Sequence, residues 1–133
     1  MKTAPPATGP NRPRWPGMAA GLAGASAVVL GALGAHALHS NLAEPMLDVW
    51  QTAVRFQFWH TLALVACALL ARRSHAAYLG AALFSLGILL FCGSLYALAL
   101  GAPRPVGVVT PLGGLCFIVA WIALGVALFC DRP

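Results

Sequence analysis

Four stretches of this chain carry no formal charge, and they decide what it can fold into. Residues 15–43, 56–71, 74–103 and 105–130 contain no Asp, Glu, Lys or Arg. A helix that crosses a bilayer needs ~20 mostly apolar residues, and a run of about 18 without charge is a candidate. Three of the stretches meet that length alone. The stretch 56–71 meets it once the turn 51–55 is added. The expected fold is therefore all-α: an integral membrane four-helix bundle, one domain over residues 17–130. Composition points the same way, because only 8% of the residues are charged, against about 25% in a soluble domain.

The formal net charge of +5 does not indicate nucleic acid. The cations form no patch with interleaved aromatics. They flank the apolar segments, which is a signal of membrane topology. Lys2, Arg12 and Arg14 precede the first span, Arg72 and Arg73 join the second to the third, and Arg132 follows the fourth. The other side holds Glu44, Asp48, Arg55 and Arg104. Six cations against two place both termini in the cytoplasm.

Residues 1–16 hold five of the ten prolines. Such a segment sustains no helix and buries no core, so it reads as a disordered cytoplasmic tail. Trp15 stands where an interfacial aromatic is expected.

The first helix is expected at about 17–38. Gly17, Gly24 and Gly31 recur every seven residues. A stripe of small residues lets a neighbouring helix approach closely, which is how membrane helices associate. A rival reading is a cleaved signal peptide, since Ala35, His36 and Ala37 have the small-x-small form of a cleavage site. The apolar run is longer than the ~7–15 residues of a signal core.

The second helix is expected at about 45–71, with Pro45 in its first turn. It holds most of the polar chemistry. Counting back ~20 residues from Ala71 places Arg55 just inside the outer boundary and His60 roughly 12 Å below it. At 100° per residue, Asp48, Gln51, Thr52, Arg55 and Trp59 share one face, while Gln57 and His60 lie on another. Gln51 is within i,i+4 reach of Arg55, whose long stem lets it snorkel to the headgroups. The functional alternative makes Arg55 a charge lining a pocket or path.

The third helix is expected at about 76–100. Gly80, Gly87, Ser94 and Gly101 repeat at seven, a second seam offset from the first by 56 residues. That offset hints at two parallel halves. Thr110 and Pro111 read as N-cap and first residue of a fourth helix over about 111–129. Gly113 and Gly114 permit close approach near its start. Cys67, Cys92, Cys116 and Cys130 lie in or at the end of apolar runs without a C-x-x-C. They read as small buried hydrophobes, with no metal and no disulfide framework.

Counted from the outer ends, His36, Gln51, Arg55, Gln57, His60, Ser94, Tyr96 and Thr110 fall in or above one half of the membrane. A bundle would collect them on one side. Three readings compete: hydrogen bonds that hold the helices together, a pocket for a ligand or ion, and a metal or catalytic site. The two histidines lack ligand spacing, and no nucleophile, base and orienting group stand together.

Several ordered motifs add a resemblance. They are Gly31-Ala-Leu-Gly-Ala-His-Ala-Leu38, Trp50-Gln-Thr-Ala53, Phe56-Gln57 with His60, Gly87-Ile-Leu-Leu-Phe-Cys-Gly-Ser-Leu-Tyr96, and Thr110-Pro-Leu-Gly-Gly114 followed by Trp121. Together they resemble the YgdD-like family of small bacterial membrane proteins, a domain of unknown function with eukaryotic mitochondrial relatives. The resemblance covers residues 17 to about 128. It implies a multi-span inner-membrane protein and no established activity. Phe56 stands where the family pattern has Tyr, and Cys92 where it has Ser.

The expected function is a non-enzymatic accessory or assembly component of the bacterial inner membrane, without cofactor. Its partners are the lipid bilayer and either other membrane subunits or a second copy of itself. The alternative is a small transporter or ligand-binding protein that uses the polar cluster.

Overall fold

The computed structural model describes residues 14–130, all helix, turn and loop. Most of the proposed tail, residues 1–13, lies outside the described residues, as do Asp131 and Arg132.

Helix α1 spans Trp15–Ala35 and opens with a proline in its first turn, where the missing N–H costs no bond. Helix α2 spans Glu44–Leu70. Pro45 again sits in the first turn, and the Glu44 carboxylate favours the positive end of the helix dipole. Ser74 caps α3, His75–Gly87, accepting a bond from the Ala77 N–H at 3.2 Å. A π-helical turn, Ile88–Cys92, links α3 to α4, Gly93–Ala99. A 3-10 turn, Arg104–Val108, runs into α5, Val109–Cys130. Four segments are long and apolar enough to cross a membrane: α1, α2, the continuous 75–99 segment, and 104–130.

Helix α1 packs on α2, α3 packs on α5, and α2 touches every other helix. The core between them is built from small side chains. Ala53, Ala77, Ala81, Ala120 and Ala127 are fully covered, with Phe84, Leu64 and Cys67 as the large or polarisable fillers. The bulky residues point outward: Leu22, Val29, Leu69, Leu89, Ile122 and Phe129 are each at least 62% exposed. That inversion suits lipid. Apolar tails are as good a solvent for Leu as a protein core, so membrane helices gain by close backbone packing and internal hydrogen bonds instead.

The small-residue seams face their chain neighbours. A β-carbon on Gly24 or Gly31 would lie 3.5 Å from Thr61 and 3.4 Å from Val54 of α2. One on Gly80 would lie 2.9 Å from the Cys67 sulfur, and one on Gly87 would lie 2.5 Å from the Phe117 ring. Gly17 departs from the expected seam, because nothing lies within 4 Å of its β-position. At that end α1 leans on α3: Trp15 Nε1 donates to the Tyr78 hydroxyl at 2.8 Å. The tightest crossing is at Gly113, where a β-carbon would overlap the backbone of Phe91 inside the π turn.

Thr110 does not cap the last helix. The helix begins one residue earlier, at Val109, directly out of the 3-10 turn. The Thr110 hydroxyl is thereby free to meet Ser94 across the bundle at 2.6 Å.

Candidate functional site

The polar residues form separate groupings rather than one cluster. The first is centred on Gln57, which α2 turns inward and leaves 3% exposed. Its Nε2 donates to the Ala23 carbonyl at 2.9 Å and to Ser26 Oγ at 2.8 Å, both on α1. Its Oε1 accepts from the Tyr96 hydroxyl of α4 at 2.8 Å. The orientation of the amide is forced, because a carbonyl can only accept and the side facing Ala23 must be the NH2. Two turns earlier, Trp50 Nε1 donates to the Leu30 carbonyl at 2.9 Å. The Trp50 and Tyr96 rings meet edge to face at 4.7 Å. One side chain thus joins three helices, and an aromatic pair covers it. A groove of about 490 Å³ lies over this network, with Ser26, Gln57, Ser85 and Tyr96 in its lining. All four already hold protein partners.

The second grouping is Ser94 with Thr110. Ser94 Oγ donates to the Phe91 carbonyl at 2.9 Å. A hydroxyl has one proton, so Thr110 is the donor in the bond between them. The pair fastens α4 to α5 beside the Gly113 crossing.

The third grouping is His60 in an aromatic nest. Nδ1 lies 2.6 Å from the Phe56 carbonyl and must carry the proton there. The imidazole stacks on Phe117 with centroids 3.6 Å apart and planes 13° apart. Phe56, Phe84 and Trp121 surround it at 5.6, 5.9 and 6.2 Å. These positions place Nε2 opposite the bonded edge, as the free acceptor of the ring.

The remaining expected members stand apart. His36 is exposed on the turn after α1, which ends at Ala35 and not at the expected Leu38. Arg55 is exposed on the outward face of α2, with no ion pair to it among the described residues. Gln51 and Arg55 edge a groove of about 210 Å³ against Gly31, Gly34 and Ala35. Asp48, Arg55 and Trp59 turn outward together, as their common phase requires. The sequence reading missed Ser26, Trp50, Phe117 and Trp121 as members of the groupings. Ser26 is a lone serine in an apolar helix and belongs to none of the motifs or repeats in the sequence. Among the described residues, no three His, Cys, Asp or Glu side chains stand close enough to hold a metal ion.

Gln57, Trp50, Tyr96, Thr110 and Gly113 fall inside a match, over residues 30–114, to the family described as a protein of unknown function, DUF423. The chain belongs to this family. A UPF0382 membrane protein of Staphylococcus saprophyticus is 41% identical over 105 residues, covering 77% of this chain and 87% of the relative. The UPF0382 membrane protein YwdK of Bacillus subtilis is also 41% identical over 105 residues, with 76% and 85% covered. The UPF0382 inner membrane protein YgdD of Escherichia coli is 38% identical over 104 residues, with 77% and 79% covered. No solved structure matches the chain. Members of this family are membrane proteins of unknown function, and the resemblance read from the motifs leads to the same family.

Proposed function

We propose that this chain is a non-enzymatic accessory or assembly component of the bacterial inner membrane, with both termini cytoplasmic. The observation that carries the reading is the saturation of Gln57, whose amide bonds α1 and α4 at once. Polar groups inside a bilayer are costly and are kept for a purpose. Here the purpose is to fix three helices in register. Little of the described chain lies beyond the spans: the connections are 36–43, 71–74 and 100–103. A partner therefore has to be met largely through the apolar flanks of the bundle, by another membrane subunit or a second copy. The localisation follows the named inner-membrane relative, and the orientation follows the excess of Lys and Arg beside the termini and the 71–74 turn.

Co-purification from native membranes in mild detergent tests this. A stable membrane-protein partner or a homo-oligomer is expected. Recovery of the chain only as a free monomer would overturn the reading.

A further inference from the structure

The side-chain N–H and O–H donors that line the Gln57 groove are all engaged within the protein. The cleft between α2 and α5 differs. It measures about 510 Å³ and is lined by Phe56, His60, Phe117 and Trp121, with Pro111, Gly114, Leu115 and Ile118 completing it. That volume lies in the range of small-molecule sites, which are typically ~300–1,000 Å³. Trp121, Leu115 and Ile118 are 49–60% exposed, so the cleft opens laterally between α2 and α5.

His60 supplies the second observation. The side chain is 9% exposed, and its Nδ1 is occupied by the Phe56 carbonyl. Its Nε2 makes no hydrogen bond within the described residues, yet no fully covered side-chain nitrogen or oxygen there lacks a partner. Nε2 therefore reaches the surface, and the surface His60 lines is this cleft. An acceptor held in apolar surroundings without a donor is costly.

We propose that this cleft binds a planar, membrane-soluble aromatic alcohol of the phenol class. The ring packs against Phe56 and Trp121, which line the cleft and are 39% and 49% exposed, and the hydroxyl donates to His60 Nε2. Each requirement follows from the lining. The aromatic walls favour a flat apolar body through offset or edge contacts. The single acceptor selects a single donor. No charged side chain lines the cleft to hold an anion, and a hydrocarbon tail would leave Nε2 unpaired. Gly114 keeps the floor low: a β-carbon there would meet only Phe91, at 3.8 Å. The cleft would take its ligand whether or not the bundle also carries a partner subunit.

The test uses the full chain in phosphatidylcholine nanodiscs, with 15N-labelled histidine. The probes are 2-naphthol and 2-methoxynaphthalene, which share a ring system and differ in the donor. Addition of 2-naphthol is expected to shift one imidazole resonance saturably, and that resonance is absent in His60→Phe. The methyl ether is expected to bind at least tenfold more weakly. Gly114→Leu fills the cleft and is expected to weaken 2-naphthol binding at least tenfold, with helical circular dichroism unchanged. Equal binding of the two probes to the unmodified protein would overturn the proposal, and would mean a lipid tail or a water completes the site. So would the absence of saturable binding. Neither result depends on a variant folding.

Discussion

The Tyr96 hydroxyl donates to Gln57 Oε1 across 2.8 Å, joining α4 to α2 inside a bundle with few other polar links. Tyr96→Phe removes this one bond and keeps the ring against Trp50. Side-chain hydrogen bonds between membrane helices are worth ~1 kcal/mol each, so a loss of about that size is expected. Gln57→Leu removes the bonds to Ala23, Ser26 and Tyr96 together. It should cost roughly 1–3 kcal/mol, because the Tyr96 hydroxyl loses its acceptor in an apolar site, while Ser26 keeps its bond to the Ala23 carbonyl. Unfolding in mixed micelles, followed by circular dichroism, measures both. A double variant costing no more than Gln57→Leu alone would place the Tyr96 contribution within that network.

Arg55, only two residues away, should behave in the opposite manner. It is exposed, and the inward-turning contacts of α2 run through Gln57, His60 and Thr61 instead. Arg55→Ala is therefore expected to change stability by no more than about 0.5 kcal/mol, the usual range for surface positions. The same unfolding assay checks it. A loss comparable with that of Gln57→Leu would mean the guanidinium has a partner inside the bundle.

The contrast shows how much the sequence could tell. The charge-free stretches marked three of the four long apolar helices alone, and the second once the 51–55 turn was added, because lipid tolerates so few charges that their absence is itself a ruler. The 3.6-residue period also separated the Asp48–Arg55 face from the Gln57–His60 face correctly. It could not say which face turns in, since both are polar and either could be held against neighbouring helices. Seven-residue spacing picked out Gly24, Gly31, Gly80 and Gly87, which do meet neighbouring helices, and Gly17, which does not. Spacing fixes the phase of a helix, whereas its tilt decides where the neighbour leaves. The π turn at 88–92 left no mark in the pattern. It lies where the Phe91 backbone meets Gly113, a contact between residues far apart in the chain.

Gly87 and Gly17 offer a paired test of that distinction. A methyl group on Gly87 would drive into the Phe117 ring, whose own position is set by stacking on His60. Overpacking a closely fitted interior typically costs ~1–3 kcal/mol. Gly87→Ala is expected to lower the midpoint of thermal unfolding accordingly. Gly17→Ala enters open space and is expected to leave the midpoint unchanged or slightly raised, since alanine is the better helix former. Equal effects at the two sites would mean the α3–α5 crossing is looser than the geometry requires.

The orientation can be read from the native thiols. Cys67 and Cys92 are buried and Cys116 is half-buried within a span, whereas Cys130 is exposed at the last turn of α5. A membrane-impermeant maleimide is attacked by a thiolate that it meets in water, so Cys130 should dominate the labelling. Four crossings would place Trp15 and Cys130 at the same membrane face, and Ser40, on the turn between α1 and α2, at the other. With both termini cytoplasmic, Cys130 labels in inverted vesicles and stays unlabelled in intact spheroplasts. In a Ser40→Cys variant whose Cys130 is replaced by Ser, the pattern should reverse. Labelling of Cys130 from the outside would invert the whole assignment. Labelling of both positions from one side would mean that one of the four apolar helices does not cross.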